Sequence, residues 1–414
     1  MNVSTGSLYP KLFDPKRHEP LGIAAWSEAA ARAWIARYVA DAQATFSPAN
    51  LWPAHPLDFD DEHPGEALTT IYSGAAGVIW ALDHLENAGA ASRSIDFAPR
   101  LDELATRNTA MEEKRGHGIE GLLVGRTGIL LLCYRLAADR AVADAAAASI
   151  AASVVNNSGH SSLELLWGSP GTMHVALTMH EWTGETRWAE LFRADADRLW
   201  RTFLHADESS CRLWTQDLWG RQQKMLGAGH GFAGNASALI RGRALLPSDA
   251  WTQWADGIVE TTQATALRDG PLANWPPETK PHGTPPKILV QWCHGAPGMV
   301  TSLARLPDPR LDDLLIAAGE LTWAAGPLAK GAGLCHGTAG NGYAFLKLFR
   351  RTGNPRWLDR ARAFATHAMA QSDHMAEQHG RRRHSLWTGD PGVAWYVWSC
   401  IAGDDALPNL DPTH

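Results

Sequence analysis

Between Trp188 and Leu199 the apolar residues recur at helical spacing. Trp188, Leu191, Phe192, Ala196 and Leu199 fall at i, i+3, i+4, i+8 and i+11, with Glu190, Arg193 and Asp197 on the opposite side. Asp195, at i+7, interrupts the apolar stripe. No comparable alternation of period two occurs, so strands are expected to be minor or absent. Other apolar runs, such as Ile129 to Leu132, Met173 to Leu177 and Tyr343 to Leu346, each begin shortly after a glycine turn.

Those turns share one spelling, G-x-x-G, which returns seven times: Gly74 to Gly77, Gly125 to Gly128, Gly168 to Gly171, Gly231 to Gly234, Gly295 to Gly298, Gly337 to Gly340 and Gly389 to Gly392. The spacing of roughly 40 to 65 residues is that of a helical array or toroid. In two copies the likeness runs on, because Thr183-Gly184 and Thr352-Gly353 both lie twelve and thirteen positions after the second motif glycine. The unit therefore reads as glycine turn, helix of about three turns, Thr-Gly turn, second helix. Seven such pairs around an axis predict an all-α fold, a seven-fold α/α toroid or double-layered helical barrel. It is expected as one domain over residues 1–414, with residues 1–22 as an N-terminal extension, and with the glycine turns opening the inner helices at one end. Pro276-Pro277 and Pro285-Pro286 are assigned to a loop before the fifth motif.

Composition adds limits. The net charge of −7 is mild and no basic stripe is present, which argues against nucleic acid as a partner. No apolar run is long enough to span a bilayer, and the first twenty residues lack the apolar core of a secretory signal. Five cysteines, at 133, 211, 293, 335 and 400, are too few and odd in number for a disulfide framework. They fit a reducing compartment, and a cytoplasmic location is expected.

Three of the seven turns carry metal-type donors: Gly229-His230-Gly231, Trp292-Cys293-His294-Gly295 and Leu334-Cys335-His336-Gly337. On a toroid, turns far apart in sequence converge on one mouth and can share an ion. Two thiolates and an imidazole suit Zn²⁺, and three protein ligands leave a fourth position open for substrate. A thiol entering that position is deprotonated near neutral pH. His294, beside Cys293, is expected to face substrate rather than to be a ligand. His230 brings no cysteine, so it is either a fourth ligand or an acid/base.

The stretches GAGHGFAG, WCHGAPG and GLCHGTAGNGYAFL resemble the LanC-like family, relatives of the lanthipeptide cyclases, and YSGAAG, ELLWGSPG and LWTGDPG extend the resemblance from about residue 20 to residue 400. The resemblance implies a seven-fold toroid with Zn²⁺ held by Cys293, Cys335 and His336, and an acid/base role for His230. It also implies one of two reactions on a dehydroamino acid. The cyclases add a cysteine of the same peptide, and the other branch adds glutathione to damaged proteins. His294 followed by Gly295-Ala296-Pro297-Gly298 is like the glutathione-adding branch, and Leu289 replaces a basic residue of the cyclases. By resemblance Glu164 takes the place of an acidic residue near the centre, and Lys330 and Arg382 contact glutathione. The expected function is zinc-dependent addition of a thiol, glutathione first, to dehydroalanine or dehydrobutyrine residues of a peptide or protein. The alternatives are a lanthipeptide cyclase and a non-catalytic module that binds glutathione or a protein.

Overall fold

The glycine turns do begin the inner helices, and the reason is steric. The computed structural model describes residues 12–58, 67–115, 120–205, 211–279 and 287–412. In all seven turns a Cβ on the second motif glycine would lie 1.7–2.4 Å from the carbonyl oxygen six residues earlier, as at Gly340 against Leu334 and Gly171 against Leu165. Only glycine allows the chain to fold back on itself this closely. The fold-back also serves the helix start, whose first N–H groups have no partner inside the helix. Ala75 N–H donates to Leu68, Phe232 to Met225, Thr338 to Gly331 and Asp390 to Arg383, each reaching a carbonyl seven residues back.

Numbered along the chain, the inner helices are α2 (Ala75–Asn87), α4 (Thr127–Arg135), α6 (Ser169–Thr183), α8 (Phe232–Arg241), α10 (Ala296–Leu303), α12 (Thr338–Thr352) and α14 (Asp390–Ala402). Each follows an outer helix: α1 (Glu28–Thr45), α3 (Leu101–Arg115), α5 (Arg140–Asn157), α7 (Thr186–Thr202), α9 (Ser248–Thr265), α11 (Asp312–Ala325) and α13 (Pro355–His379). Inner helices touch their neighbours in chain order, and α14 packs on α2 to close the ring. The outer helix α1 covers that seam by packing on α14. The fold is thus the predicted all-α toroid of two layers.

The repeat unit read from Thr183-Gly184 and Thr352-Gly353 is present, with α6 and α12 at 15 residues each, nearer four turns than three. Gly184 and Gly353 end these helices in the left-handed conformation, at φ +68° and +66°, which a Cβ would disfavour. Asp195, which breaks the stripe of α7, is buried and accepts from the Ser158 hydroxyl; burial pushes its carboxyl up to about 6. Among the described residues strands are confined to three short hairpins: β1–β2 (Leu204–His205, Arg212–Leu213), β3–β4 (Gln216–Leu218, Arg221–Gln223) and β5–β6 (Leu267–Asp269, Leu272–Asn274).

Of the predicted N-terminal extension, residues 1–11 lie outside the described residues. From Leu12 onward it is laid along the toroid: Asn274 donates to the Leu12 carbonyl, His18 Nδ1 meets the Gly326 carbonyl at 3.0 Å, and Glu19 pairs with His367 at 2.6 Å. The Pro276-Pro277 pair follows β6 directly, whereas Pro285-Pro286 lies outside the described residues. Among the described residues no helix is long and apolar enough to cross a membrane.

Candidate metal centre

The residue two positions ahead of each first motif glycine is Tyr72, Leu123, Leu166, Gly229, Cys293, Cys335 and Trp387. Six of the seven, from Gly229 round to Leu123, are joined in a row by backbone hydrogen bonds. Gly229 N–H donates to Cys293, Cys293 to Cys335, Cys335 to Trp387, Trp387 to Tyr72 and Tyr72 to Leu123, at 2.8–3.2 Å. The turns therefore form a belt around one mouth, and the two cysteines are adjacent members of it. Side chains reinforce the belt: Asn235 reaches the Leu163 carbonyl and Asn341 the Val290 carbonyl, both at 2.9 Å.

Cys293, Cys335 and His336 converge so that one donor atom from each lies within 4.8 Å of the other two. Both cysteines are buried, and Cys133, Cys293, Cys335 and Cys400 are free thiols. The Cys335 thiol donates to Cys293 and holds it well below the ordinary thiol range against the effect of burial, and His294 and His336 lower it further. The hydrogen bond to Cys293 and burial, then the charge on Cys293, push Cys335 up. Gln291 Nε2 also donates to Cys293 Sγ at 2.9 Å, and the Tyr72 hydroxyl lies in hydrogen-bond contact with Cys335. By contrast burial, with the Asp102 charge adding to it at Cys133, pushes the Cys133 and Cys400 thiols up to about 12, so they behave as small apolar core groups. Two thiols in hydrogen-bond contact beside an imidazole are a donor set that fits Zn²⁺, with three protein ligands leaving a further coordination position.

His230 sits in the position ahead of its motif glycine that His294 and His336 occupy in theirs. Its Nδ1 meets Glu164 Oε2 at 2.9 Å. Glu164 is fully buried, and its carboxylate also accepts from the backbone N–H of Trp167 at 2.6 Å and Leu166 at 3.0 Å. Burial works against a charged His230, but the hydrogen bond and charge of Glu164, with a contribution from Cys293, outweigh it and raise the imidazole above its ordinary value. Trp167 stacks on the His230 ring at 5.6 Å and 19°. The His294 ring lies 6.1 Å from that of His230. Burial, then the neighbouring His230 and His336, lower His294 in spite of Cys293, and its Nδ1 is buried without a partner.

Lys330 is exposed and lines a cleft with Gly333, Gln371, Arg383 and Thr388, on the turn that leads to Cys335. Arg382 is not brought to this cleft. It pairs with Asp373 at 2.7 Å and Asp390 at 3.8 Å and lies over the Trp34 ring. Its neighbour Arg383 lines the cleft instead, held there by Asp58. Gln291, Tyr72 and Trp167 are not singled out by the sequence, whereas Arg383 belongs to the Arg381-Arg382-Arg383 run, from which the resemblance picks Arg382. Gln291 had a legible clue, because it stands four residues before its motif glycine, as Glu164 does.

Comparison with known proteins agrees with this architecture. The plant "LanC-like protein GCL1" of Arabidopsis thaliana is 40% identical over 124 residues, 28% of each chain. "Glutathione S-transferase LANCL1" of Danio rerio is 39% identical over 119 residues, 27% of this chain and 28% of the relative. The aligned stretch thus spans little more than a quarter of either relative. Among solved structures, nisin cyclase superimposes with a TM-score of 0.60 at 14% identity, covering 81% of this chain and 89% of that one, which establishes a common fold. The sequence profile described as "Lanthionine synthetase C-like protein" matches residues 62–411, and the chain belongs to that family.

Proposed function

We propose that this protein adds a thiol, glutathione in the first instance, to dehydroalanine or dehydrobutyrine residues of a peptide or protein, forming a thioether. The observation that carries the proposal is the convergence of the Cys293–Cys335–His336 donor set with the buried His230–Glu164 pair at one mouth. The relative named as a glutathione S-transferase supports glutathione as the thiol.

Cys293, Cys335 and His336 would hold Zn²⁺, which when bound supplies a Lewis acid that keeps an incoming thiol ionised near neutral pH. The residues of the chain account for the rest. The thiolate sulfur bonds to Cβ of the dehydroamino acid and the C=C electron pair shifts towards Cα and its carbonyl. His230, with Nδ1 fixed by Glu164, gives a proton from Nε2 to Cα, and the proton lost by the thiol balances the sum. Glu164 favours the imidazolium form that this step requires, since it both accepts from the ring and carries the opposite charge. His294 borders the space between His230 and the donor set. Lys330 and Arg383 line a cleft suited to the carboxylates of glutathione, while Arg382 steadies that corner from behind.

The test is to assay zinc by elemental analysis and to follow a dehydroalanine peptide with glutathione by mass spectrometry. One zinc per chain and a glutathione-sized gain in mass are expected, both lost in Cys335→Ala. His230→Ala should keep its zinc and lose turnover by about 10²–10⁴-fold. Full zinc in Cys335→Ala would refute the ligand assignment, and loss of zinc from His230→Ala would make His230 a ligand. Zinc without adduct would point to a cyclase with its own peptide or to a binding module.

A further inference from the structure

The hairpin β3–β4 turns through Trp219 and Gly220, both in the left-handed region at φ +53° and +71°. Such a turn matches the twist of a hairpin and favours asparagine or glycine at its first position. A bulky side chain there is a backbone outlier. Trp219 is also 61% exposed, one of the few large apolar side chains left in solvent among the described residues. A bulky side chain held in this backbone conformation points to a role beyond the turn itself.

The placement is specific. The Trp219 ring stands edge-on to His230, 5.2 Å between centroids at 74°, and at 88° to Trp167, 6.5 Å away. Trp167 in turn stacks on His230. The three rings make a corner with the imidazole in it. The hairpin is anchored on either side of its tip: Leu218 is buried, Asp217 N–H donates to the Ser161 carbonyl, and Gln223 reaches the Leu218 carbonyl at 3.2 Å. The indole is therefore presented from a fixed support.

This corner bears on the thiol-addition reading, on which the inference rests. Glu164 occupies His230 Nδ1, so the proton must leave from Nε2. The acceptor's Cα must then come within about 3 Å of the His230 ring, which brings it beside Trp219 and Trp167. A conjugated C=C–C=O unit is flat and its alkene end has no hydrogen-bonding group. Stacking against aromatic faces is the means left to orient it. We propose that Trp219 is a specificity-determining residue whose ring is the wall against which the planar dehydroamino acid of the acceptor lies, with Trp167 closing the corner at right angles, while His230 protonates its Cα.

The test uses the zinc-loaded protein and the variants Trp219→Asn, which suits the turn, and Trp219→Phe. Kinetics are measured for a dehydroalanine peptide at saturating glutathione, and peptide binding is measured by calorimetry without thiol. Trp219→Asn should raise the acceptor KM and Kd roughly tenfold. It should leave zinc content and glutathione KM unchanged and the melting temperature no lower, and Trp219→Phe should restore most of the loss. Unchanged acceptor KM and Kd in Trp219→Asn, with wild-type protein active, would overturn this assignment alone, as would a rise in glutathione KM in its place. A wild type that forms no adduct would overturn the thiol-addition reading and this inference with it.

Discussion

Glu164 shows how much a single buried charge can direct. It has no exposed surface, two backbone N–H groups and the His230 ring hold it, and its carboxylate is what overcomes the burial of that imidazole. Replacing it with glutamine keeps the shape and removes the charge. Glu164→Gln is expected to lower turnover by about 10–100-fold, because the imidazolium loses its counter-charge. Zinc content and glutathione KM should not move, since neither contact belongs to Glu164. Stopped-flow or steady-state rates alongside elemental analysis check this. A variant of full activity would mean that Glu164 only braces the turn.

At the scale of the element, the glycine turn is defined by contact rather than by flexibility. A methyl group on Gly340 would sit 1.7 Å from the Leu334 oxygen, one residue before Cys335, a proposed zinc ligand. Gly340→Ala must push α12 away from its own turn, and the cost is expected at about 3 kcal/mol. The displaced Cys335 should also weaken zinc retention. Gly159 is the control: nothing lies within 4 Å of its missing Cβ, so Gly159→Ala should leave stability within about 1 kcal/mol of the parent. Denaturant melts of the two variants decide it, and equal stabilities would remove close approach as the reason for the motif.

Over the whole molecule, the closed inner ring buries groups that would otherwise titrate. His84 lies flat on Trp395 at 3.7 Å, and burial, with Arg135 nearby, lowers it to about 4. His174, deep in α6, is lowered to about 3 by burial and then by Arg241. Both stay neutral when folded but take up a proton when unfolded, over the range from about 6.5 down to their folded values. In that window the unfolded state binds more protons, so stability rises with pH and falls on acidification. Asp195, raised to about 6, works in the opposite sense between about 6 and its unfolded value, and one group does not cancel the two histidines. His84→Gln should therefore lose less stability than the parent between pH 6.5 and 4, by about 1 kcal/mol per pH unit. Melting curves across that range test the sign, and parallel curves for the two proteins would refute it.

The amino-acid sequence by itself determined the repeat, the helices and the donor atoms. These rest on interactions within a few residues: the 3.6-residue period of α7, the glycines that must clear a carbonyl six residues back, and cysteine and histidine at matching places in successive turns. Even Gln291 and Glu164 stand at the same place in their turns, although the resemblance lies in position and not in residue type. What only the tertiary structure decided is which side chains from different turns meet. Gln291 reaches the Cys293 sulfur, Tyr72 meets Cys335, Trp219 swings from a hairpin to His230, and Arg383 rather than Arg382 faces the cleft beside Lys330. The last case shows the physical reason. Adjacent arginines are equivalent in composition, and their directions are chosen by Asp373, nearby on α13, and by Asp58, more than three hundred residues away, which comes close only when the ring closes.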